Sequence, residues 1–194
     1  MNATDVLAAA AQCERFLEQA VDAGWGARIP DMEWTVAHAV AHAANVLLWY
    51  AFDLSAGDAE VDTLELRVKP DSLPVELIAT LAAAARVVAS VIGASPPSSR
   101  GFHPLGRADP SGFAAMACDE LLIHTDDAGR GLGLAFAPEP ALCARVLARL
   151  FPEDSPDVAA YEAWDGLRWA NGRIALPGRP RRQQWRWSCA PLVG

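Results

Sequence analysis

The chain has 194 residues, enough for one sizeable core. Of these, 52% are hydrophobic and 21% charged, a balance that excludes an intrinsically disordered protein. The formal net charge of −8 and a pI of about 4.9 argue against nucleic-acid binding, because neutralising phosphates supplies most of that affinity.

The chain reads as helix after helix. From Thr4 to about Ala23, Val6, Ala10, Cys13, Leu17 and Val21 recur at spacings of three and four, the signature of an amphipathic helix. Asn2 or Thr4 caps it, and Gly24 and Gly26 end it. The start carries Asp5 and no Lys or Arg through Gln12, unlike the basic front of a signal peptide, so a cytoplasmic location is expected. A second helix, Glu33 to about Leu54, is apolar nearly all round, which predicts that it is surrounded by protein. It is also the longest apolar stretch, and His38, His42 and Asn45 interrupt it, so no membrane-spanning helix and no membrane partner are expected. Ser55 to Pro70 is acidic and has no clear period.

A third helix starts near Ser72 with Pro74 in its first turn and runs to Gly93. A breaker-rich loop, Ala94 to Gly101, follows. Ser111 or Gly112 opens a fourth helix that ends near Gly131 and Gly133. Four core helices without strand-type alternation predict an all-α bundle over residues 1–135. Residues 136–194 are expected to pack on that bundle as two short helices, Pro138 to Leu150 and Ser155 to about Ala170, and a strap, Arg173 to Trp187, that is extended or a strand. Trp164, Trp169, Trp185 and Trp187 either line a ligand pocket or, as expected first, anchor this tail to the bundle. From Gly166 onward the tail holds six of the sixteen basic residues and no acid, which leaves ten basic residues against all twenty-four acids before it. A basic tail of this kind docks on the acidic body, or supplies cations to an anionic ligand. The four cysteines form no Cys-x-x-Cys pair, so they are expected to be reduced, partly buried thiols.

Three of the four histidines lie on predicted helices in chemically suggestive company. His38 and His42, four apart, project from successive turns on one side of the second helix. On the fourth, Glu120, His124 and Asp127 fall within about 60° of one another at 100° per residue. Phe113 and Met116 share that stripe, so these polar groups point where apolar ones also point. A buried carboxylate and imidazole need a partner. A divalent metal held by two helices with one open position is one answer, and a hydrogen-bonded helix pair is the other.

The stretch Trp34-Thr-Val-Ala-His-Ala-Val-Ala-His42, the loop Phe102-His-Pro-Leu-Gly106, and Gly112 to Asp127 with its Glu-x-x-x-His resemble the mycothiol-dependent maleylpyruvate isomerase family. The tail from Trp169 to Trp187 is similar to the ending of actinobacterial members. Members of this family are DinB-like, metal-binding four-helix bundles. The resemblance implies that His42, Glu120 and His124 bind the metal, most simply zinc, although other divalent metals suit the same N/O ligands. It implies a low-molecular-weight thiol, mycothiol, at the open position, and a small electrophile as substrate of an isomerase or S-transferase. Asp127 would orient His124 or a bound water, and His38 would sit one turn from the ligand as a catalytic or packing group. His103 and Arg86 would face the bound cosubstrate, with arginines holding an anion. Two other functions share the same residues. One is hydrolysis of a small amide or ester by zinc-bound water, with Asp127 as the base, and the other is metal or small-molecule binding without turnover. Either a monomer or a homodimer is expected.

Overall fold

A computed structural model describes residues 1–192. Its elements are α1 (Ala3–Glu18), α2 (Val36–Ala56), α3 (Pro74–Ala94), α4 (Pro110–Leu132), α5 (Pro140–Leu150), a 3-10 turn (Pro156–Val158) and α6 (Ala163–Ala170). Among the described residues there are no strands, only three isolated bridges. The fold is an all-α, DinB-like bundle, as the sequence predicted.

Local chemistry sets the ends of the helices. Asn2 caps α1 through a capping box with Asp5, and α1 stops at Glu18, short of Ala23, in a series of turns. Thr35 caps α2 by accepting from the His38 N–H, so that helix starts three residues later than its apolar pattern suggested. Asp109 caps α4 by accepting from the Gly112 N–H at 2.7 Å, Pro110 occupies its first turn, and Gly133 ends it in the left-handed region. The stretch expected to be one helix from Ser155 to Ala170 divides into the 3-10 turn and α6.

In the bundle, α1 and α2 each pack against both α3 and α4, which places α1 and α2 at opposite corners. The core runs through Val6, Cys13, Val40, Leu47, Leu81, Val88, Phe113 and Leu121, all almost completely buried. Helix α5 packs on the outer side of α4, and α6 packs on α5. Consequently α4 is the helix enclosed on all sides, buried at every residue from Gly112 to Gly129. On α2, by contrast, His38 and Phe52 are exposed and several residues are half-buried, so the expectation of complete enclosure is corrected. The reason is that the appendage covers α4 and leaves one side of α2 to a loop. Helix α3 corrects a second expectation: it is long and apolar enough to cross a membrane by length and composition, with half of that window buried in the bundle.

The tail docks through its cations. Arg173 pairs with Asp127, Arg181 with Asp31, Arg182 with Asp154 and Arg179 with Asp157. Buried Arg149 on α5 joins Asp109 at the start of α4 to the carbonyls of Ser188, Cys189 and Ala190. The Trp169 indole N–H donates to the Pro180 carbonyl. All four cysteines are buried free thiols.

Gly101 is tightly packed between α2 and α4. It pairs with Ala108, and a Cβ there would lie 2.7 Å from the Phe113 ring and 2.8 Å from the Leu54 backbone. Gly101→Ala is expected to lower stability by about 1–3 kcal/mol through overpacking, measured by urea unfolding. An unchanged midpoint would mean that the loop before His103 yields without strain.

Candidate metal centre

The second turn of α2 and the middle of α4 face each other across the bundle, and three side chains meet between them. His42, Glu120 and His124 each offer a ligand atom, and these atoms lie within 4.8 Å of one another. Glu120 Oε2 is 3.0 Å from His124 Nε2 and 3.8 Å from His42 Nε2. Two ligands of a tetrahedral zinc, each about 2.0–2.1 Å from the ion, stand roughly 3.3 Å apart, between these two spacings. Glu120 and His124 are each only 8% exposed, whereas the His42 side chain is 37% exposed and opens toward solvent. Glu120 Oε2 is buried without a directional hydrogen-bond partner, although its other oxygen accepts from the Tyr50 hydroxyl at 3.4 Å. An orphaned buried carboxylate oxygen facing two imidazole nitrogens fits a bound cation.

Around the triad the other groups hold it in place. Trp34 packs against both imidazoles, its ring centre 4.6 Å from that of His42 and 5.6 Å from that of His124. The His124 Nδ1 meets Asp127 Oδ2 at 3.1 Å. Asp127 is completely buried and also receives the Arg173 guanidinium, from Nε at 2.9 Å to one oxygen and from a terminal nitrogen at 2.8 Å to the other. The pairing of a ligating imidazole with a carboxylate through its second nitrogen fixes the ring's orientation and tautomer.

The electrostatics follow from this pairing. Burial works against the charged form of His124, but Asp127 and Glu120 outweigh it and push its pKa up to about 9. Burial likewise opposes ionisation of Asp127, yet His124 and Arg173 bring it down to about 2. His42 is lowered, by burial first and then by the His124 charge. Without a metal, therefore, a proton on His124 takes the cation's place, and metal binding must release it. Because the His124 pKa is raised above its unfolded value of 6.5, its contribution to stability is complete below pH 6.5 and disappears as pH rises through about 9. His42 acts in the opposite sense and only at lower pH, and Asp119, pushed up to about 7 by burial and then by Glu120, adds to the fall only at the lower edge of this window, so the fall above that edge reports His124. In chelator-treated protein the urea midpoint is expected to fall between pH 6.5 and 9, and a flat profile there would show that His124 is not held protonated.

Two clefts adjoin His42. One, of about 410 Å³, is lined by His42 and Glu120 at its inner end and by Tyr50, His103 and Trp187 among others. The second, of about 230 Å³, is lined by Trp34, His38, His42, Asn45 and Arg67. The aperiodic segment after α2 walls both, with Glu60 and Val61 on the first and Arg67, Val68 and Pro70 on the second.

The structure thus brings His42, Glu120, His124 and Asp127 together. His103 reaches the larger cleft, its ring centre 5.9 Å from that of Tyr50, while its Nδ1 accepts from the Leu105 N–H. His38 stays apart from the triad: it is exposed, bonded to Thr35, and on the rim of the smaller cleft. Arg86 is exposed on α3 and lines neither cleft. The cation nearest the centre is instead Arg173, which carries no local motif and reaches Asp127 across 46 residues of chain. Tyr50 was likewise missed; its place two turns after His42 on the same helix was the available signal.

Among known proteins, the family model described as mycothiol maleylpyruvate isomerase N-terminal domain matches residues 6–129. No curated protein and no solved structure matches the chain.

Proposed function

Because the chain belongs to the mycothiol maleylpyruvate isomerase N-terminal domain family, we propose that it is a metal-dependent enzyme that uses a low-molecular-weight thiol, as an isomerase or S-transferase of a small electrophile. One observation carries the reading: a buried two-histidine, one-glutamate cluster with an orphaned carboxylate oxygen stands at the inner end of a cleft. His42, Glu120 and His124 would hold the metal, with zinc the best match to two imidazoles and a carboxylate. When bound, zinc supplies stabilisation of a thiolate, the nucleophilic form of a thiol.

The protein's own groups do the rest. Glu120 and His124 come from one rigid helix turn, so their spacing is set by the α4 backbone. Asp127 holds the Nδ1 proton of His124 and leaves Nε2 free to ligate, and Arg173 keeps Asp127 ionised. Asp127 is thus a positioning residue. Fully buried and engaged by Arg173, it has no access to a substrate-side proton, which removes the base that hydrolysis would need from it. Tyr50 holds the other Glu120 oxygen, and Trp34 packs against both imidazoles. We place the protein in the cytoplasm, where such thiols are kept reduced.

The test is a zinc-loaded preparation given mycothiol and monochlorobimane, beside p-nitrophenyl acetate without thiol. Conjugation above the uncatalysed rate, lost in His42→Ala, is the expected result. Ester hydrolysis without conjugation would replace this reading with the hydrolytic one, and metal binding with neither activity would leave a binding module.

A further inference from the structure

The larger cleft is lined by two residues whose hydrogen-bond donors nothing among the described residues uses. Trp187, 9% exposed, has a buried indole N–H without a partner. His103 lies beside it, the two ring centres 6.1 Å apart. The His103 Nδ1 accepts from the Leu105 N–H at 3.2 Å, so that nitrogen is unprotonated and the ring's proton sits on Nε2. Burial lowers the His103 pKa and favours the same neutral form. A donor buried without an acceptor costs free energy, and most such donors have a partner. The acceptors on the lining do not serve them: Glu120 belongs to the triad, and Asp53 and Glu60 bond to neither donor. Those two carboxylates repel an anion, and no lysine or arginine lines the cleft to offset them. An uncharged oxygen acceptor is the group that matches both the free donors and the local charge.

We propose that the cleft takes an electrophile with an uncharged carbonyl group, its oxygen accepting from His103 Nε2 and Trp187 Nε1 and its apolar part lying against Trp49 and Tyr50. This deepens the thiol-enzyme reading and rests on it for the fate of the ligand. It also makes that ligand an uncharged molecule and not the anion expected from the sequence. His103 and Trp187 then determine specificity, and two donors on a carbonyl oxygen draw electrons from the carbons that a thiolate attacks.

The experiment uses two probes of one shape that do not add thiols across a double bond, the saturated ketone 4-phenylbutan-2-one and its hydrocarbon counterpart 3-methyl-1-phenylbutane. Their affinities for zinc-loaded protein are measured by ligand-observed NMR titration at pH 7.5. Because Trp187 also borders a cleft of about 380 Å³ that His103 does not line, both residues are varied. In the His103→Leu/Trp187→Phe double variant, the ratio of ketone to hydrocarbon affinity is expected to fall about tenfold, the loss of two hydrogen bonds. Damage to the packing of the cleft would weaken both probes and leave that ratio unchanged. His103→Gln, which restores an N–H donor, is expected to keep the ratio near that of the wild type, unlike His103→Leu. In isotope-edited infrared spectra, the carbonyl stretch of the bound ketone should lie at lower frequency in the wild type than in the double variant. An unchanged ratio, an unchanged frequency, equal loss in the Gln and Leu variants, or no binding of the ketone would overturn the proposal. Since neither probe is turned over, these outcomes are independent of whether mycothiol is used: conjugation of the bimane with an unchanged ratio sinks the carbonyl site alone.

Discussion

His42→Ala, Glu120→Ala and His124→Ala are each expected to abolish metal retention in protein purified without chelator. The wild type should hold about one equivalent, as a three-residue ligand set with one open position requires. The three residues do not contribute in the same way. Glu120 and His124 lie on α4, enclosed by the bundle on one side and by α5 on the other, so neither can be replaced by a shifted neighbour. His42 is the more exposed of the three candidate ligands and comes from a different helix, so its loss leaves an intact pair on α4. Asp127→Ala should retain metal but bind it roughly 10–100-fold more weakly, the usual consequence of removing a carboxylate that orients a ligating histidine. Elemental analysis of the four variants beside the wild type decides the matter. Full occupancy in His42→Ala or His124→Ala would remove that residue from the ligand set, and complete loss in Asp127→Ala would promote Asp127 to a ligand.

The largest effect on stability is expected at Asp127 itself. Its carboxylate is completely buried and meets three cations or potential cations: His124, Arg173 and, at 3.4 Å, Arg130. Asp127→Ala leaves the mostly buried Arg173 guanidinium without its partner and lets His124 lose its proton. Removing one member of a buried pair in this way costs about 3–5 kcal/mol. Arg173→Met is expected to be milder, because Arg173 lies at the edge, its side chain 15% exposed, and Asp127 keeps His124 and Arg130. The double variant should be less unstable than the sum of the two, with a coupling of about 0.5–3 kcal/mol. Urea unfolding of chelator-treated protein measures all three. Strict additivity would mean that the pair contributes through packing and not through charge. Since Arg173 comes from the tail, this coupling also reports how firmly the segment after α6 is tied to the bundle.

The helical class was legible in the sequence because apolar residues at three- and four-residue spacing state directly which side of each helix leaves water. The same rule pointed to the candidate site: Glu120, His124 and Asp127 share a stripe with Phe113 and Met116, so their burial and their need for a partner could be inferred from α4 alone. Helix ends were less legible, since Thr35 and Asp109 act as caps only in the backbone conformation that the structure provides. Arg86 illustrates a further limit. Its charge is plain in the sequence, but the exposed side of α3 on which it lies is decided by how α3 meets α1 and α2.

By itself, then, the sequence determined the bundle and its four long helices, because each depends on spacing within one helix, while the candidate set of His42, Glu120 and His124 came from the family resemblance. Tertiary structure alone decided the diagonal placement of α1 and α2, the enclosure of α4 by α5, the pairing of Arg173 with Asp127, and the acidic, aromatic cleft built from α2, the loop after it and Trp187. Each of these joins residues tens of positions apart. Local periodicity specifies that a surface is buried, while the partner that buries it is chosen by long-range packing and charge complementarity, which no window of sequence contains.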